Sequence, residues 1–495
     1  MAGIKVVSKI NYPLVILGLA IFTSFILFVD LDEQRPQITY TAAIAILMAF
    51  WWVTETIPVG ATSLLPLVLF PLLGVLDGKM ISNSYINYII FLYIGGFIMA
   101  LAIEKWGLHK RIALKILSVI GGSPLKILFG FMLASAFLSM WMSNTATAMM
   151  MLPIGFSVIA ALKETAPKNT TRSFSNGLLL AIAYACSIGG ITTLVGTPPN
   201  LSFVRIYEIM FPTGQEISFG NWLLFAFPLA FVLFIITLIY LFLAFKPEKN
   251  SSQLPSSFFK KKYADLGKMS SEEKKVGFLF IVLVFLWIFR KSITIGNIAI
   301  PGWSGMLSAP EYINDGTVAI GVALLLFIVP SSKKSKALVS WNITKKIPWH
   351  IVLLFGGGFA IANGFVESGL SHYLGNLLVG AKDFSETSLI VLVTSLMSGL
   401  TEFTSNTATT EMLLPIIGGL ATEINVNPLL LMIPVTLAGS MAFMFPIATP
   451  PNAIVYGSGK LSMWQMAKTG FVLNLIAIVL ITILTVTWGT IVFGL

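Results

Sequence analysis

The sequence of 495 residues predicts an all-α polytopic membrane protein that is built from an inverted repeat. Apolar residues make up 56% of the chain and charged residues only 11%, whereas a soluble domain carries about 25% charged residues. The pentapeptide Ser-Asn-Thr-Ala-Thr stands at 143–147 and again at 405–409, 262 residues later. The tetrapeptide Thr-Pro-Pro-Asn follows each copy, at 197–200 and at 449–452. Two landmarks in the same order indicate a duplicated unit in a membrane protein.

The composition also excludes several classes of site. The single cysteine, Cys186, excludes an internal disulfide, and the histidines at 109, 350 and 372 are too scattered to suggest a metal cluster. The sequence contains no His-Glu-x-x-His motif, and we expect no enzymatic activity. The net charge of +10 could indicate a nucleic-acid partner, but basic cytoplasmic loops of a membrane protein explain it better. We therefore expect no nucleic acid to bind.

The chain begins with a short basic segment and an apolar run at 13–29. A signal peptide is the alternative for this run, but acidic residues follow it instead of a small-residue cleavage site, so we interpret it as the first span. Further spans are expected at about 40–55, 58–75 and 87–104. The charged segment 104–111 is predicted to be an interfacial helix on the cytoplasmic side.

The apolar segment 122–163 is interrupted by the first pentapeptide, which predicts a re-entrant hairpin that enters and leaves through one face. A span at 174–206, broken near the first Thr-Pro-Pro-Asn, and an unbroken span at 219–245 follow. The segment 246–275 holds eight lysines and is predicted to be a cytoplasmic loop between the repeats. Its charge could bind anionic lipid headgroups, but a solvated loop is the favoured interpretation.

The second repeat follows the same plan. Its expected segments are spans at 276–289, 316–330 and 350–366, a linker at 367–383, a re-entrant hairpin at 388–422, a broken span at 428–458 and a last span at 469–493. The whole plan therefore has about eleven transmembrane spans and two re-entrant hairpins.

The distribution of lysine and arginine orients this plan in the plasma (inner) membrane. With the N-terminus in the cytoplasm, 25 of the 31 basic residues fall on the cytoplasmic side, as the positive-inside rule requires. The C-terminus is then external. Basic residues flank the first hairpin, whereas the linker before the second carries only Lys382. We therefore expect the hairpins to enter from opposite faces and their tips to meet near mid-membrane.

Each hairpin tip is expected to begin a half-helix, whose free N–H groups and positive dipole end attract an anion. The serines and asparagines of the tips are favourable N-cap residues, the threonines add hydroxyl donors, and the asparagine amides can donate to a carboxylate. These residues are Ser143, Asn144, Thr145, Ser405, Asn406 and Thr407. The alternative is that they only cap tight turns, but two copies in an inverted repeat favour a binding site.

The two Thr-Pro-Pro-Asn breaks complete the predicted site. Thr197 and Thr449 can cap the half-helix that follows, and the next proline fits its first turn, where a missing N–H costs nothing. Carbonyl groups freed just before each break, near Gly196 and Ala448, can coordinate a small cation. Two tips and two breaks thus predict a near-symmetric site with donors for a dianion and oxygens for cations.

The paired tips, the two breaks and the order of the spans resemble the divalent anion/sodium symporter family over nearly the whole chain. This resemblance implies a homodimer of eleven-span protomers in the lipid bilayer. Each protomer works as an elevator, in which a transport domain carries substrate past a static scaffold. The substrates implied are succinate, malate, fumarate, 2-oxoglutarate and sometimes citrate. The family also contains sodium-independent exchangers.

The resemblance also divides the chain. It implies a scaffold at 1–117 and 276–384, and a transport domain at 118–245 and 385–495, with the basic loop 246–275 between the two halves. The first part of the transport domain holds the first hairpin, its broken span and the next span. The second part holds the other hairpin, its broken span and the last span.

The family's functional positions fall on residues of the tips and breaks. The substrate positions are Asn144, Thr145, Ser405, Asn406 and Thr407, with Thr449 and Pro450 close by. The first sodium site falls on Ser139, Ser143, Asn144 and the Gly196 carbonyl. The second sodium site falls on Thr401, Thr404, Asn406 and the Ala448 carbonyl. No cofactor is implied beyond these coupling ions.

Two acidic residues of the second hairpin need a separate interpretation. Glu411 follows the second tip by about one turn, where the first repeat has Met149. An intramembrane carboxylate is costly and often functional, so Glu411 could couple a proton or a cation, but pairing with a donor inside the transport domain is favoured. Glu402 is interpreted as part of a polar network.

The sequence therefore predicts a secondary transporter that binds a C4-type dicarboxylate as the dianion. No lysine or arginine lies near either tip, and co-bound sodium is a natural way to neutralise the charge. Sodium-independent exchange is the alternative within transport. An anion channel is the alternative of another class, but it would need a continuous polar pore.

Overall fold

The computed structural model describes residues 11–165, 171–246, 254–255, 257–295, 298–332 and 336–495. Helices dominate the described chain, as predicted. In its first half they are α1 Tyr12–Phe28, α2 Pro36–Thr54, α3 Val59–Thr62, α4 Leu65–Leu72, α5 Gly78–Tyr85, α6 Tyr88–Lys105, α7 Leu108–Ile120, α8 Pro124–Ser139, α9 Asn144–Thr165, α10 Arg172–Gly190, α11 Pro198–Met210 and α12 Phe219–Ala244.

The second half continues the helical plan and adds a short β-hairpin that the sequence did not predict. Its helices are α13 Ser257–Ala264, α14 Ser271–Ile288, α15 Asp315–Ile328, α16 Trp349–Ser368, α17 Leu370–Leu377, α18 Glu386–Thr401, α19 Asn406–Glu423, α20 Pro428–Ala438, α21 Pro450–Tyr456, α22 Met463–Leu484 and α23 Thr490–Phe493. The strands β1 Ile293–Ile295 and β2 Ile298–Ile300 pair antiparallel.

Within the described residues, seven helical stretches are long and apolar enough to cross a membrane. They are Pro36–Thr54, Gly78–Lys105, Asn144–Glu164, Arg172–Gly190, Phe219–Ala244, Trp349–Ser368 and Met463–Phe493. Other predicted spans correspond to shorter apolar helices, such as Tyr12–Phe28 and Asp315–Ile328. An all-α polytopic membrane protein is thus confirmed, while the number of spans and the inverted symmetry stay predictions.

The helices break where the sequence predicts breaks. The two hairpins are interrupted between α8 and α9 and between α18 and α19, directly before Asn144 and Asn406. Two prolines begin each of α11 and α21, since proline lacks the N–H that a longer helix would need there. The second arm of each hairpin packs on the broken span of the other repeat, α9 on α21 and α19 on α11. This crossed packing brings both tips and both breaks to one place.

The basic segment 246–275 differs from the solvated loop that we predict. It contains α13, in which Phe259 is buried and packs edge-on against Phe131 of the first hairpin. Lys262 Nζ donates to Ser157 Oγ of the same hairpin at 3.3 Å. The sequence Phe-Phe-Lys-Lys-Lys-Tyr explains the difference, because its aromatic side chains gain burial while its lysines stay near water.

Three smaller differences concern linkers and spans. The linker 367–383 contains α17, and the predicted span 58–75 is divided into α3 and α4, the second of which has a proline, Pro66, in its first turn. The last span contains a π-helical turn at Thr485–Gly489 between α22 and α23. Several basic residues that orient the chain lie outside the described residues: Lys5, Lys9, Lys168, Lys249, Lys333 and Lys334.

Candidate functional site

A cavity of about 590 Å³ lies where the tips and the breaks meet. Its polar wall comes from residues 143–145 and 404–407 of the hairpins and from 196–199 and 448–451 of the breaks. Aromatic side chains such as Trp52, Phe97 and Trp141 also line the cavity. No lysine or arginine is among the lining residues, all of which belong to the described chain. The groups that the cavity offers to an anion are therefore neutral donors, helix ends and the His350 side chain.

The Asn144 side chain joins the first tip to the first break. The terminal amide atom that faces the break lies 2.5 Å from Ser139 Oγ, 3.2 Å from the Cys186 carbonyl oxygen and 3.3 Å from the Gly196 carbonyl oxygen. Gly190 permits this approach, because a β-carbon there would lie 2.7 Å from the same amide. If the amide nitrogen occupies this position, it donates to both carbonyls. If the amide oxygen occupies it, four oxygens converge there, from Asn144, Ser139, Cys186 and Gly196.

Asn406 repeats the arrangement at the second tip. Thr401 Oγ1 lies 2.6 Å from Asn406 Oδ1 and 3.1 Å from the carbonyl oxygen of Gly439, which precedes the second break. Thr401 stands five residues before Asn406, as Ser139 stands five residues before Asn144. Both hydroxyl residues are fully buried behind the tips. Each tip asparagine is therefore held by a hydroxyl group and lies beside carbonyls of a broken span.

The asparagine that ends each Thr-Pro-Pro-Asn has a structural role that the sequence did not suggest. Asn200 Nδ2 donates to the carbonyls of Ile191 and Thr193 at 3.2 and 2.8 Å. Asn452 Nδ2 donates likewise to the carbonyls of Ala442 and Phe445, at 3.0 and 3.1 Å. Both asparagines are fully buried. They hold the non-helical chain before each break by satisfying carbonyls that no helix satisfies.

The two breaks differ in the way they are fixed to the hairpin tips. In the first repeat, Thr193 Oγ1 donates to the Met140 carbonyl at 2.5 Å. In the second repeat, the Glu402 carboxylate accepts hydrogen bonds of 2.8–3.2 Å from the backbone N–H groups of residues 443–445. Asn474 Nδ2 also donates to Glu402, at 2.7 Å. The prediction that Glu402 belongs to a polar network is in agreement with these contacts.

The predicted site residues separate into those at the cavity and those behind it. Ser143, Asn144, Thr145, Thr197, Ser405, Asn406, Thr407, Thr449 and Pro450 line the cavity, together with Gly196, Ala448 and Thr404. Ser139 and Thr401 do not line it, but their hydroxyls contact the two asparagines. The hydroxyl of Thr404 bonds to the Leu400 carbonyl and to Thr409 Oγ1 at 2.7 and 2.5 Å, and no contact joins it to Asn406.

Capping is less regular than predicted. Ser143 Oγ accepts from the Ala146 N–H at 3.2 Å, and Thr449 Oγ1 accepts from the Asn452 N–H at 3.3 Å. Ser405 and Thr197 stand at N-cap positions without a capping side-chain bond, and Thr197 Oγ1 lies 3.3 Å from Ser440 Oγ instead. Both residues line the cavity.

Sequence reasoning missed the Cys186 and Gly439 carbonyls that lie beside the tips. Backbone carbonyls leave no signal in residue identity, and only the three-dimensional approach of α10 and α20 to the hairpins reveals them. Sequence reasoning did identify Glu411, and it favours a pairing of this carboxyl group with a donor. Glu411 Oε1 accepts a hydrogen bond of 2.8 Å from Ser202 Oγ of α11.

The chain matches the family described as the sodium:sulfate symporter transmembrane region over residues 10–495. The sodium-dependent dicarboxylate transporter SdcS of Staphylococcus saprophyticus is 42% identical over 476 residues, which cover 94% of this chain and 89% of that protein. SdcS of Staphylococcus aureus is 42% identical over 487 residues, which cover 97% of this chain and 91% of that protein. The similarity therefore extends over both hairpins and both breaks.

Two solved structures share the fold at low sequence identity. The YdaH transporter of Alcanivorax borkumensis has a TM-score of 0.56 at 12% identity and covers 91% of this chain and 99% of its own. MtrF of Neisseria gonorrhoeae has a TM-score of 0.57 at 10% identity and covers 95% of this chain and 97% of its own. These likenesses show the fold alone. The match along nearly the whole sequence shows that the chain belongs to the divalent anion/sodium symporter family, whose members are multi-pass membrane transporters and not enzymes.

Proposed function

We propose that the protein is a sodium-coupled symporter that carries C4-type dicarboxylates, such as succinate, malate and fumarate, and also 2-oxoglutarate across the plasma membrane. The observation that carries this proposal is the convergence of two Ser-Asn-Thr tips and two breaks on one cavity without lysine or arginine. The names of the SdcS relatives support the same substrate class and the same coupling ion.

A dianion fits this cavity because each of its carboxylates can meet one tip. Asn144 and Thr145 belong to one tip, and Asn406 and Thr407 to the other. Each tip also begins a helix of more than fifteen residues, α9 or α19, whose N-terminal N–H groups favour negative charge. Hydrogen bonds to a charged group contribute about 1.5–3 kcal/mol each, so a few donors can replace an arginine. Ser405, Thr197, Thr449 and Pro450 complete the proposed substrate contacts.

The surroundings of Asn144 favour a small cation beside the substrate. When the Asn144 amide oxygen faces the break, it meets the oxygens of Ser139, Cys186 and Gly196, and only a cation satisfies such a cluster. The amide nitrogen then points away from the break and is free to donate to a carboxylate. A cation would therefore orient the donor that the dianion needs, which is a physical basis for coupling. Ser143 is the remaining member of this proposed sodium site.

The second proposed sodium site has a similar set of neutral oxygens. Thr401 Oγ1, Asn406 Oδ1 and the Gly439 carbonyl oxygen form one cluster, and the Ala448 carbonyl belongs to the nearby cavity wall. Neutral hydroxyl and carbonyl oxygens suit a hard monovalent cation that must also leave again. Thr404 is a weaker candidate ligand, because its hydroxyl bonds to Leu400 and Thr409.

We also propose that the protein works as a homodimeric elevator with the scaffold and transport segments predicted from the sequence. The cavity is lined by Glu55 between α2 and α3 and by His350 near the start of α16. The predicted orientation puts both of these helix ends in the cytoplasm, so the cavity would open inward in this conformation. The opposite entry of the hairpins can be tested with single cysteines in a Cys186→Ser background. A cysteine at Lys126 should react only from the cytoplasm and one at Ser388 only from outside.

Uptake into liposomes tests the proposed function. Purified protein should accumulate labelled succinate when an inward sodium gradient is present and should fail to do so with potassium alone. Uptake that needs internal dicarboxylate but ignores sodium would assign the protein to the exchangers. Uptake that is neither saturable nor dependent on a gradient would indicate a channel.

A further inference from the structure

Glu411 is a buried carboxyl group that the proposed substrate and sodium sites do not use. Its side chain is fully buried in α19, and it does not line the cavity. Ser202 Oγ donates to its Oε1 at 2.8 Å. Its other oxygen, Oε2, has no hydrogen-bond partner among the described residues. Burial of a polar atom without a partner is costly, and this one therefore requires an explanation.

The carboxyl group lies between elements that the proposed mechanism assigns to different domains. Glu411 and Ser202 belong to α19 and α11, both in the proposed transport domain. Gly358 of α16, in the proposed scaffold, lies against the carboxyl group. A β-carbon at Gly358 would lie 2.4 Å from Oε2, so the missing side chain makes room for the carboxyl group. Glu411 is thus located where the two domains would slide past each other.

No cation is positioned to pair with Glu411 among the described residues. On α16 it faces a glycine, and the Tyr85 hydroxyl of α5 donates to the Ser63 carbonyl at 2.5 Å. On α11, Arg205 pairs with Glu208 of the same helix. The sequences of α2 and α20, which also pack on α19, contain no charged residue.

The other charged groups on the neighbouring helices are distant or engaged elsewhere. On α19, Glu423 at the far end of the helix bonds to His372 of α17. On the α18 side, Glu402 is held by the backbone at residues 443–445. The charged or titratable residues of the remaining packed helices lie at helix ends, namely Glu386 of α18, and His350 and Glu367 of α16.

A neutral Glu411 carboxyl group would avoid the cost of a buried charge that has no cation beside it. An ionised carboxylate without a partner in a low-dielectric interior is expensive, and a bound proton removes the charge. Because the Ser202 hydroxyl already donates to Oε1, the proton belongs on Oε2, the oxygen next to Gly358. Glu402 differs in its partners, since its oxygens accept from several backbone N–H groups and from Asn474.

We propose that Glu411 is a proton-binding site whose neutral form allows the transport domain to move along the scaffold. This inference rests on the proposed elevator function. With the proton bound, the interface is uncharged and the side chain can pass along α16. Loss of the proton would leave an unpaired carboxylate between the domains. This charge would bind water or hold the interface in place, and the movement would slow. The transport rate should therefore fall as the pH rises through the titration of this group, while substrate affinity should change little.

The test compares Glu411→Gln with wild type in liposomes over a range of pH. Fumarate serves as the substrate, at pH values where it stays a dianion, so that substrate protonation does not contribute. We expect the wild-type rate to fall at high pH by up to about tenfold per pH unit, as for one proton, and Glu411→Gln to keep a high rate without this fall. An equal alkaline fall in both proteins, or a folded Glu411→Gln protein that binds fumarate but does not transport it, would overturn the proposal.

Infrared difference spectroscopy gives a readout that does not depend on transport. The purified wild-type protein should show a carboxylic-acid C=O band at neutral pH that is missing from Glu411→Gln and still present in Glu402→Gln. Absence of a band specific to Glu411 would contradict the inference even if uptake is normal. If neither protein takes up dicarboxylate but the band is present, the proposed function fails while the proton site remains.

Discussion

The two hairpin tips share the contacts of the proposed binding site and differ in the contacts that support them. In both, a buried hydroxyl lies beside the tip asparagine, from Ser139 to Asn144 and from Thr401 to Asn406. Behind the first tip, the Thr193 hydroxyl donates to the Met140 carbonyl, and the Asn144 amide lies beside the Gly196 carbonyl. The second tip is joined to its break by Glu402. The buried carboxyl groups of the hairpins, Glu402 and Glu411, therefore both belong to the second repeat.

The two repeats therefore share one set of contacts and differ in another. Substrate and ions need a symmetric set of neutral oxygens and donors, which both repeats keep. Among the described residues of the two hairpins, a carboxylate that accepts hydrogen bonds from the break backbone and a second buried carboxyl group are found only in the second, where Met140 and Met149 of the first are replaced by Glu402 and Glu411. Mutations in the shared contacts should thus affect both halves alike, and mutations in the carboxylates should not.

The largest expected effect is loss of the Glu402 carboxylate. Glu402→Gln would put an NH₂ group or a weaker acceptor against several N–H donors, and each lost charge-assisted bond costs about 1.5–3 kcal/mol. Met140→Gln changes the equivalent residue of the first repeat, which makes no such contacts, and serves as the matched control. Thermal unfolding of the purified proteins should show a clear fall in Tm only for Glu402→Gln. Equal unfolding temperatures of the two variants would contradict the proposed difference between the two repeats.

Loss of either tip asparagine should abolish transport without unfolding the protein. Asn144→Ala and Asn406→Ala each remove a substrate donor and an oxygen of a proposed cation site, so we expect roughly a tenfold or larger loss of succinate affinity. The two effects should be of similar size, because the two tips have the same geometry. Calorimetric titration and liposome uptake measure them. Wild-type uptake by either variant would refute the assignment of the site.

The features that the two repeats share could be predicted from the sequence, because the same residues occur in both. The positions of the tips and breaks and the residues at Asn144 and Asn406 followed from the pentapeptide and from Thr-Pro-Pro-Asn. Backbone partners such as the Gly439 carbonyl could not be predicted, since they depend on how closely helices approach. The neighbours of Glu411 were also invisible in the sequence, because Ser202 and Gly358 are far from it along the chain.

The hydroxyl groups behind the asparagines should have a smaller and unequal effect. Thr401→Val leaves Asn406 Oδ1 and the Gly439 carbonyl without this partner, at a cost of about 1–3 kcal/mol. Ser139→Ala should cost less, because in the ion-free protein the Asn144 amide nitrogen can still donate to the Cys186 and Gly196 carbonyls. The sodium concentration that gives half-maximal uptake should rise in both variants and rise more in Thr401→Val. A larger rise in Ser139→Ala would contradict this order.

The smallest expected effect concerns the threonines of the breaks. Thr449→Val removes an N-cap bond to the Asn452 N–H, worth about 1 kcal/mol, whereas Thr197→Val removes only a 3.3 Å contact with Ser440. Thermal unfolding should therefore show a small fall in Tm for Thr449→Val and almost none for Thr197→Val. A greater loss in Thr197→Val would indicate that its hydroxyl has a stabilising partner that this geometry lacks.

A cation at the tip asparagines and a dianion in the cavity should stabilise each other. Linkage requires that each raises the affinity of the other by one common factor. Calorimetric titration of succinate into the purified protein, in sodium buffer and in potassium buffer, measures this factor directly. We expect succinate to bind at least about tenfold more tightly in sodium, because the ion orients the amide donors. Equal affinities in the two buffers would contradict sodium-coupled symport.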